Sequence, residues 1–270
     1  MMSRTIECTT QSRWRKKGPL LFLTALIFLG IPQAYAQGPL KVYYVRHAEG
    51  GHNVVAEWKD KPKSQWPAYV GNPNVFTPKG EKQVVALTEE LKGTKFDFVA
   101  VSPLWRTRNT ILPYLKASGQ KAEIWPELAE TAGVPVEWTV PGGKSVKPSA
   151  NLFEGGDAIQ LPEAEQPFFT FRENGMRLLN TNDKNHDRKT ANSVALAQKT
   201  VELIKARFSK SGKSILLVGH GGAGYTLLRT LTTSNDLKTS LLNTGMWMAE
   251  EKPDGSFELK MLNGKPYVRQ

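Results

Sequence analysis

The stretch LKVYYVRHAE, residues 40–49, decides the fold class, because an apolar strand in it runs directly into charged side chains. Its β-branched and aromatic residues are typical of a buried strand. Residues 96–101 run into Ser102 in the same way, and residues 214–218 lead to His220. Since the carboxyl ends of parallel strands share one edge of a sheet, where ligands gather, we expect these polar segments to meet there.

Helical patterns separate the strands and predict an α/β fold. Thr77-Pro78 and Ser102-Pro103 each place proline after a hydroxyl residue, which is typical of a helix start. Strands that alternate with helices favour three α/β/α layers around a mostly parallel sheet. Residues 37–270 are expected to form one domain, with an irregular insertion or cap at about 131–185. The predicted helices are 77–91, 103–116, 190–208 and 221–231, and the remaining predicted strands are 122–125, 246–249 and 257–261.

The first 36 residues predict export. Residues 13–17 carry four bases, and residues 20–31 form an apolar run that is short for a membrane span. Ala34-Tyr35-Ala36 has the small residues that a signal peptidase reads, so we predict cleavage after Ala36 and a secreted or periplasmic protein. The alternative is an uncleaved anchor. The only cysteine, Cys8, lies in this segment, so the mature chain has no disulfide or thiol nucleophile.

The charge of the chain favours anionic ligands without naming one. The net charge is +11, and because the first 36 residues carry five bases and one acid, the remainder still has a net charge of +7. The positive charge is dispersed, and no nucleic-acid motif accompanies it, so nucleic acid is not a predicted partner. No stretch after the first 36 residues is long and apolar enough to predict a membrane span.

Five segments, in order along the chain, resemble the motifs of the histidine phosphatase (phosphoglycerate mutase-like) superfamily. The segments are RHAE with Asn53 (46–53), FTPKGEKQ (76–83), SPLWRTRNT (102–110), LAE (128–130) and GHGG (219–222). Two residues differ from these motifs: Ala48 stands where the superfamily has glycine, and Asn109 stands where glutamine is common. Neither difference removes a group that takes part in the chemistry.

This resemblance implies a phosphoryl-transfer site with His47 as the nucleophile that forms a phosphohistidine. Arg46 and Arg106 would bind the phosphate oxygens in forked pairs, Asn53 would add an amide donor, and His220, if protonated, a third cation. The guanidiniums are expected to lower the pKa of His47. Its second ring nitrogen is expected to donate to a backbone carbonyl. No metal or cofactor is predicted, because the arginines supply the positive charge.

A carboxyl group is expected to protonate the leaving oxygen and later to activate water. Glu130 fits the superfamily's motif, and Glu127 is the alternative three residues away. Glu49 is expected to be structural, and Arg108 is expected on the outer face of its helix.

A zinc site is a further alternative. His47, His52 and His220 could together supply three nitrogen ligands, as in a catalytic zinc site. The neighbouring arginines would repel a dication, which counts against this reading.

The combined prediction is an exported, metal-independent phosphatase that hydrolyses a phosphomonoester of a small molecule. One alternative is a phosphoglycerate mutase, which returns the phosphoryl group to a sugar acid, although an export signal counts against it. Another is a non-catalytic protein that binds phosphorylated ligands. The sequence specifies neither the substrate nor the oligomeric state.

Overall fold

An eight-stranded sheet runs through the computed structural model, which describes residues 38–181, 183–233 and 240–268. The strand order is β4-β3-β2-β5-β1-β6-β7-β8. The strands and α-helices are β1 (Lys41–Arg46), α1 (Val55–Trp58), α2 (Pro78–Lys92), β2 (Phe98–Val101), α3 (Trp105–Ser118), β3 (Ala122–Ile124), β4 (Phe169–Phe171), α4 (His186–Phe208), β5 (Ser214–Gly219), α5 (Gly221–Thr232), β6 (Met246–Glu251), β7 (Phe257–Leu262) and β8 (Lys265–Pro266).

The first five strands are parallel, which confirms the mostly parallel sheet. β5 lies between β1 and β2, although it follows both in the chain. Arg46 pairs with Gly219, and Val101 pairs with Val218, so the three strands end at nearly the same level. The strands β6 to β8 extend the sheet in antiparallel fashion.

Helices cover both faces of the sheet and complete the predicted three layers. Along β5, Leu216 and Val218 pack in one core cluster with buried side chains of α2 and α3. Ile215 and Leu217 pack in the other cluster with side chains of α4 and α5. This alternation follows from the two-residue period of a strand, and both faces are apolar because helices cover both.

Two predicted helix starts were wrong. α3 begins at Trp105 after an N-cap at Leu104, because the hydroxyl of Ser102 bonds another part of the chain instead of capping the helix. α4 begins at His186, four residues before the predicted start, because the Asn185 side chain accepts a hydrogen bond from the Arg188 amide. That cap makes the end of a very polar stretch helical.

The segment 131–185 is more ordered than predicted. It contains β4, which pairs in parallel with β3 at the edge of the sheet. Three residues are too few to show a strand period in the sequence. The prediction for Arg108 was also wrong, because its guanidinium is buried and Nε lies 2.6 Å from Oε2 of Glu165, which anchors this segment to α3.

The predicted signal segment, residues 1–36, lies outside the described residues. Within the ranges that the structure describes, none of the helices combines the length and apolar character needed to cross a membrane.

Candidate active site

The polar segments after β1, β2 and β5 meet at the carboxyl edge of the sheet. The amide of His47 donates to the carbonyl of Gly219 at 2.9 Å, and the amide of Ser102 donates to the carbonyl of Val218 at 2.9 Å. These bonds continue the parallel ladders by one residue. The ring centroids of His47 and His220 consequently lie 5.3 Å apart.

His47 is held as a neutral imidazole with one nitrogen available. Its side chain is buried, and Nδ1 lies 2.7 Å from the carbonyl oxygen of Ala48, so Nδ1 carries the proton and Nε2 the lone pair. Burial, then the charges of Arg106 and Arg46, lower the pKa of His47 to about 3. The sequence predicted the direction of this shift, but burial contributes more than the guanidiniums do.

Two guanidiniums, from the buried Arg106 and the half-buried Arg46, flank His47 and keep unused donors. Arg46 donates from Nη1 to the carbonyl of Leu241 at 2.8 Å, and Arg106 pairs through Nη2 with Glu130. The Nε atoms of both arginines are buried and have no hydrogen-bond partner in the described residues. Buried donors of this kind are rare in folded proteins, so they indicate a place for an anion.

His220 is fixed from both sides. The Tyr44 hydroxyl accepts from the amide of His220 at 2.7 Å and donates to its carbonyl at 2.9 Å. Nε2 of its ring lies 2.9 Å from Oγ of Ser102, while Nδ1 is buried without a partner in the described residues. Burial is the largest cause that lowers the pKa of His220 well below its usual value, followed by its electrostatic interactions with His47 and Arg106. This shift favours the neutral form of His220, so the site has two cations, Arg46 and Arg106, unless His220 gains a proton.

Hydrogen bonds through Asn243, which the sequence did not predict, connect Asn53 to the backbone of His47. Oδ1 of Asn53 accepts from the Gly50 amide at 3.0 Å and from Nδ2 of Asn243 at 3.4 Å. Nδ2 of Asn243 also donates to the carbonyl of His47 at 3.0 Å. Because Oδ1 takes both bonds, the amide nitrogen of Asn53 is left as the group that can donate to a ligand.

The two candidate acids have different surroundings. Glu127 is buried and forms an ion pair with Nη2 of Arg172 at 2.7 Å, away from His47. Glu130 has a half-exposed side chain and pairs with Arg106, which flanks His47. This geometry favours Glu130 as the carboxyl group of the site.

Other predicted roles can also be compared with the structure. Glu49 accepts from the Thr77 hydroxyl at 2.8 Å and from Nζ of Lys79 at 2.7 Å, which fits a structural role. His52 lies with its ring centroid 5.4 Å from that of His47, and both of its ring nitrogens are buried without partners in the described residues. No three or more His, Cys, Asp or Glu side chains in those residues are grouped as metal ligands.

The sequence does not identify every residue of the site. It predicts Ser102 as a helix cap, although Ser102 is also the first residue of the motif segment 102–110. Asn243 and Tyr44 carry no local signal, since their partners lie 196 and 176 residues away. His52 was considered only as a metal ligand, but its position places a third imidazole beside the two arginines.

Comparisons with known proteins agree with this fold. Residues 42–140 match the family model of the histidine phosphatase superfamily (branch 1). No protein among the curated sequences matches the chain. A putative α-ribazole-5′-phosphate phosphatase from Escherichia coli gives a TM-score of 0.51 at 18% identity, covering 85% of this chain and 98% of that one. A protein described as mycobacterial hydrolase 1 gives 0.50 at 16% identity, with coverages of 83% and 98%.

At these identities the two structures establish a common fold, and the family match extends the likeness to the sequence of 42–140. The family match confirms the resemblance for the four segments that lie within 42–140, whereas the segment 219–222 lies outside it.

Proposed function

We propose that this chain, which has the fold and, over residues 42–140, the sequence pattern of the histidine phosphatase superfamily, hydrolyses phosphomonoesters through a phosphohistidine on His47. The observation that carries the proposal is the unprotonated Nε2 of His47 between two arginines whose Nε donors are buried and unpaired in the described residues. A dianionic phosphate satisfies those donors, and it presents its phosphorus to the ring nitrogen.

In the first step, Nε2 of His47 attacks phosphorus as the bond to the leaving oxygen breaks. Arg46 and Arg106 hold the equatorial oxygens, where negative charge must be stabilised. The amide nitrogen of Asn53 donates to one more oxygen. His220 takes part as a neutral imidazole: the Ser102 hydroxyl donates to Nε2, so Nδ1 bears the proton and donates to the phosphate.

Glu130 moves the protons. As a carboxylic acid it gives its proton to the leaving oxygen, and the product alcohol departs. The resulting carboxylate then removes a proton from water, whose oxygen attacks the phosphohistidine. The bond between phosphorus and nitrogen breaks, inorganic phosphate forms, and His47 returns to its neutral state with Glu130 protonated. All charge stabilisation in these steps comes from protein side chains.

Export is the second part of the proposal, and its support is the sequence of residues 1–36 alone. Expression of the full chain in a Gram-negative host, followed by fractionation and N-terminal sequencing, tests it directly. We expect periplasmic protein that begins at Gln37. Protein that keeps its first residues and sediments with membranes would instead identify the segment as an anchor.

The experiment for the activity is hydrolysis of p-nitrophenyl phosphate with EDTA present. We expect turnover that inorganic phosphate inhibits competitively. His47→Ala should lower kcat by roughly three orders of magnitude or more, since the variant lacks the nucleophile to which the mechanism assigns the covalent intermediate. His186→Ala is the matched control, because His186 is exposed on α4 and outside the site. Near-normal turnover in the His47 variant, or loss of activity on chelation, would refute the mechanism.

The same preparation separates the two alternative functions. An alkaline quench during turnover should retain one phosphoryl group on His47, because phosphohistidine is stable in base. Transfer of that group to 3-phosphoglycerate in preference to water would identify a mutase. Tight binding of phosphorylated ligands with neither transfer nor hydrolysis would identify a binding protein.

A further inference from the structure

A cavity of about 460 Å³ opens beside the carboxylate of Glu130. Its size falls within the range of roughly 300–1,000 Å³ that is typical of sites for small molecules. Glu130 contacts Arg106, so the cavity begins at the group proposed to protonate the leaving oxygen. It therefore lies where the part of a substrate beyond the phosphate would extend.

The inner wall of the cavity is fixed to the active site. Leu104 lies in this wall, two residues before Arg106. Thr131, also in the wall, presents its carbonyl oxygen to Gly222, two residues after His220. A Cβ atom on Gly222 would lie 2.1 Å from that oxygen, so only glycine permits this close approach. The wall is therefore positioned relative to both sides of the phosphate site.

The outer wall combines apolar side chains with one cation. Leu178 and Leu179 from the inserted segment supply apolar surface, and Lys189 comes from the first turn of α4. Lys189 is half-buried, and no carboxylate of the described residues pairs with it. The nearest acids in sequence have other partners: Asp187 lies 3.7 Å from His186, and Asp183 lies 3.9 Å from Arg188.

The position of Lys189 is unfavourable without a ligand. A cation in the first turn of a helix opposes the helix dipole. An anion in the cavity would offset that cost. The apolar surface between Glu130 and Lys189 would meanwhile contact a carbon framework that joins the phosphate to that anion.

We propose that this cavity binds the leaving group and selects phosphomonoesters whose leaving group carries a second anionic group, which Lys189 binds. This inference rests on the proposed phosphatase function. It names the substrate class as a small phosphomonoester with a carboxylate or a further phosphate at the far end of a short carbon skeleton. The cavity volume fits such a small molecule.

The test uses two matched substrates, 4-(carboxymethyl)phenyl phosphate and its neutral amide, 4-(carbamoylmethyl)phenyl phosphate. They differ in the distal charge and scarcely in the reactivity of the phenol. We expect the wild-type protein to prefer the acid by roughly tenfold in kcat/KM, the effect of one charged hydrogen bond. Lys189→Met should remove that preference, chiefly through KM for the acid. A third substrate with a distal phosphonate tells whether the second anion is better as a carboxylate or as a dianion.

Lys184→Met is the matched control, because Lys184 is an exposed lysine five residues away that does not line the cavity. It removes the same charge and should keep the preference for the acid. Equal kcat/KM for acid and amide in the wild-type protein would overturn the inference. So would a preference that survives in Lys189→Met.

Binding to His47→Ala separates this inference from the proposed function, since that variant leaves the ester intact. Calorimetry should give a Kd roughly tenfold lower for the acid than for the amide. If the wild-type protein hydrolyses neither ester but His47→Ala still prefers the acid, the phosphatase proposal fails and the binding subsite stands. If both esters are hydrolysed and bound alike, the subsite fails and the phosphatase proposal stands.

Discussion

Oγ of Ser102 lies 2.9 Å from Nε2 of His220, although 118 residues separate them in the chain. Both side chains are fully buried, so no water replaces either partner. The contact joins the ends of β2 and β5, and it fixes the orientation of the His220 ring. Two of the five sequence motifs thus act as one unit.

We expect Ser102→Ala to destabilise the protein by about 1–3 kcal/mol, because it leaves a buried imidazole nitrogen without a partner. Phosphatase activity should fall as well, since the His220 ring would no longer be held in its orientation. Urea unfolding and kcat/KM measure the two effects. Ser118→Ala, at an exposed serine of α3, should change the free energy of unfolding by less than about 0.5 kcal/mol. Equal stability of the two variants would contradict the assigned contact.

Glu130→Gln should act according to the leaving group of the substrate. A poor leaving group such as an alkyl alcohol needs protonation, so kcat should fall by roughly 100-fold or more, whereas a dinitrophenyl ester should be cleaved almost normally in the first step. Single-turnover kinetics with both esters measure the difference. Glu127→Gln removes the partner of Arg172 and should lower stability without this dependence on the leaving group. A dependence on the leaving group in Glu127→Gln and not in Glu130→Gln would identify Glu127 as the acid.

The buried histidines should make stability depend on pH. The pKa of His47 is about 3 in the folded protein, whereas it is about 6.5 when the chain unfolds, so below pH 6.5 the unfolded state binds a proton that the folded state does not. The free energy of unfolding should therefore fall with pH, by about 1.5 kcal/mol between pH 6.5 and 5 for this residue. The pKa values of His220 and His52 are lowered as well, chiefly by burial, and both residues add to the loss.

Urea unfolding at a series of pH values from 8 to 5 measures that loss. His47→Ala removes one of the three contributions, so its stability should change less steeply over the same window. A wild-type protein whose stability is constant from pH 6.5 to 5 would contradict the lowered pKa values of these imidazoles.

The Arg108–Glu165 pair should be important for the attachment of the inserted segment. Both side chains are buried, so Glu165→Gln leaves a buried guanidinium without its countercharge and should cost about 3–5 kcal/mol. The double variant Arg108→Met with Glu165→Leu should regain much of that loss, because an apolar pair does not pay for desolvation. Thermal unfolding of the three proteins measures this. A double variant no more stable than the single one would show that the charges are themselves required.

The sequence predicts the strands and helices that surround the site because each has a strong period, although the starts of α3 and α4 were wrong. His47, Arg46, Arg106 and His220 could be placed at one sheet edge for the same reason: each follows directly on a strand or opens a helix. Contacts between distant segments have no such local signal. Asn243 reaches His47 from a turn 196 residues away, and nothing in its neighbours indicates the direction of its side chain.

Burial was the other quantity that local patterns could not supply. Arginine is usually exposed at a protein surface, and only the position of Glu165 in the inserted segment explains why the guanidinium of Arg108 is buried. Likewise, the charge of His220 depends on how completely the surrounding loops exclude water. Helical and strand periods carry no information on either point.

The central place of β5 has a consequence for the order in which the protein can form. β1 and β2 leave the ribosome early, but they do not pair with each other, since β5 lies between them and ends only at Gly219. A nascent chain shorter than this has two apolar strands with no partner for their facing edges. The centre of the sheet can therefore close only after Gly219 has been synthesised, and until then the facing edges of β1 and β2 remain unpaired.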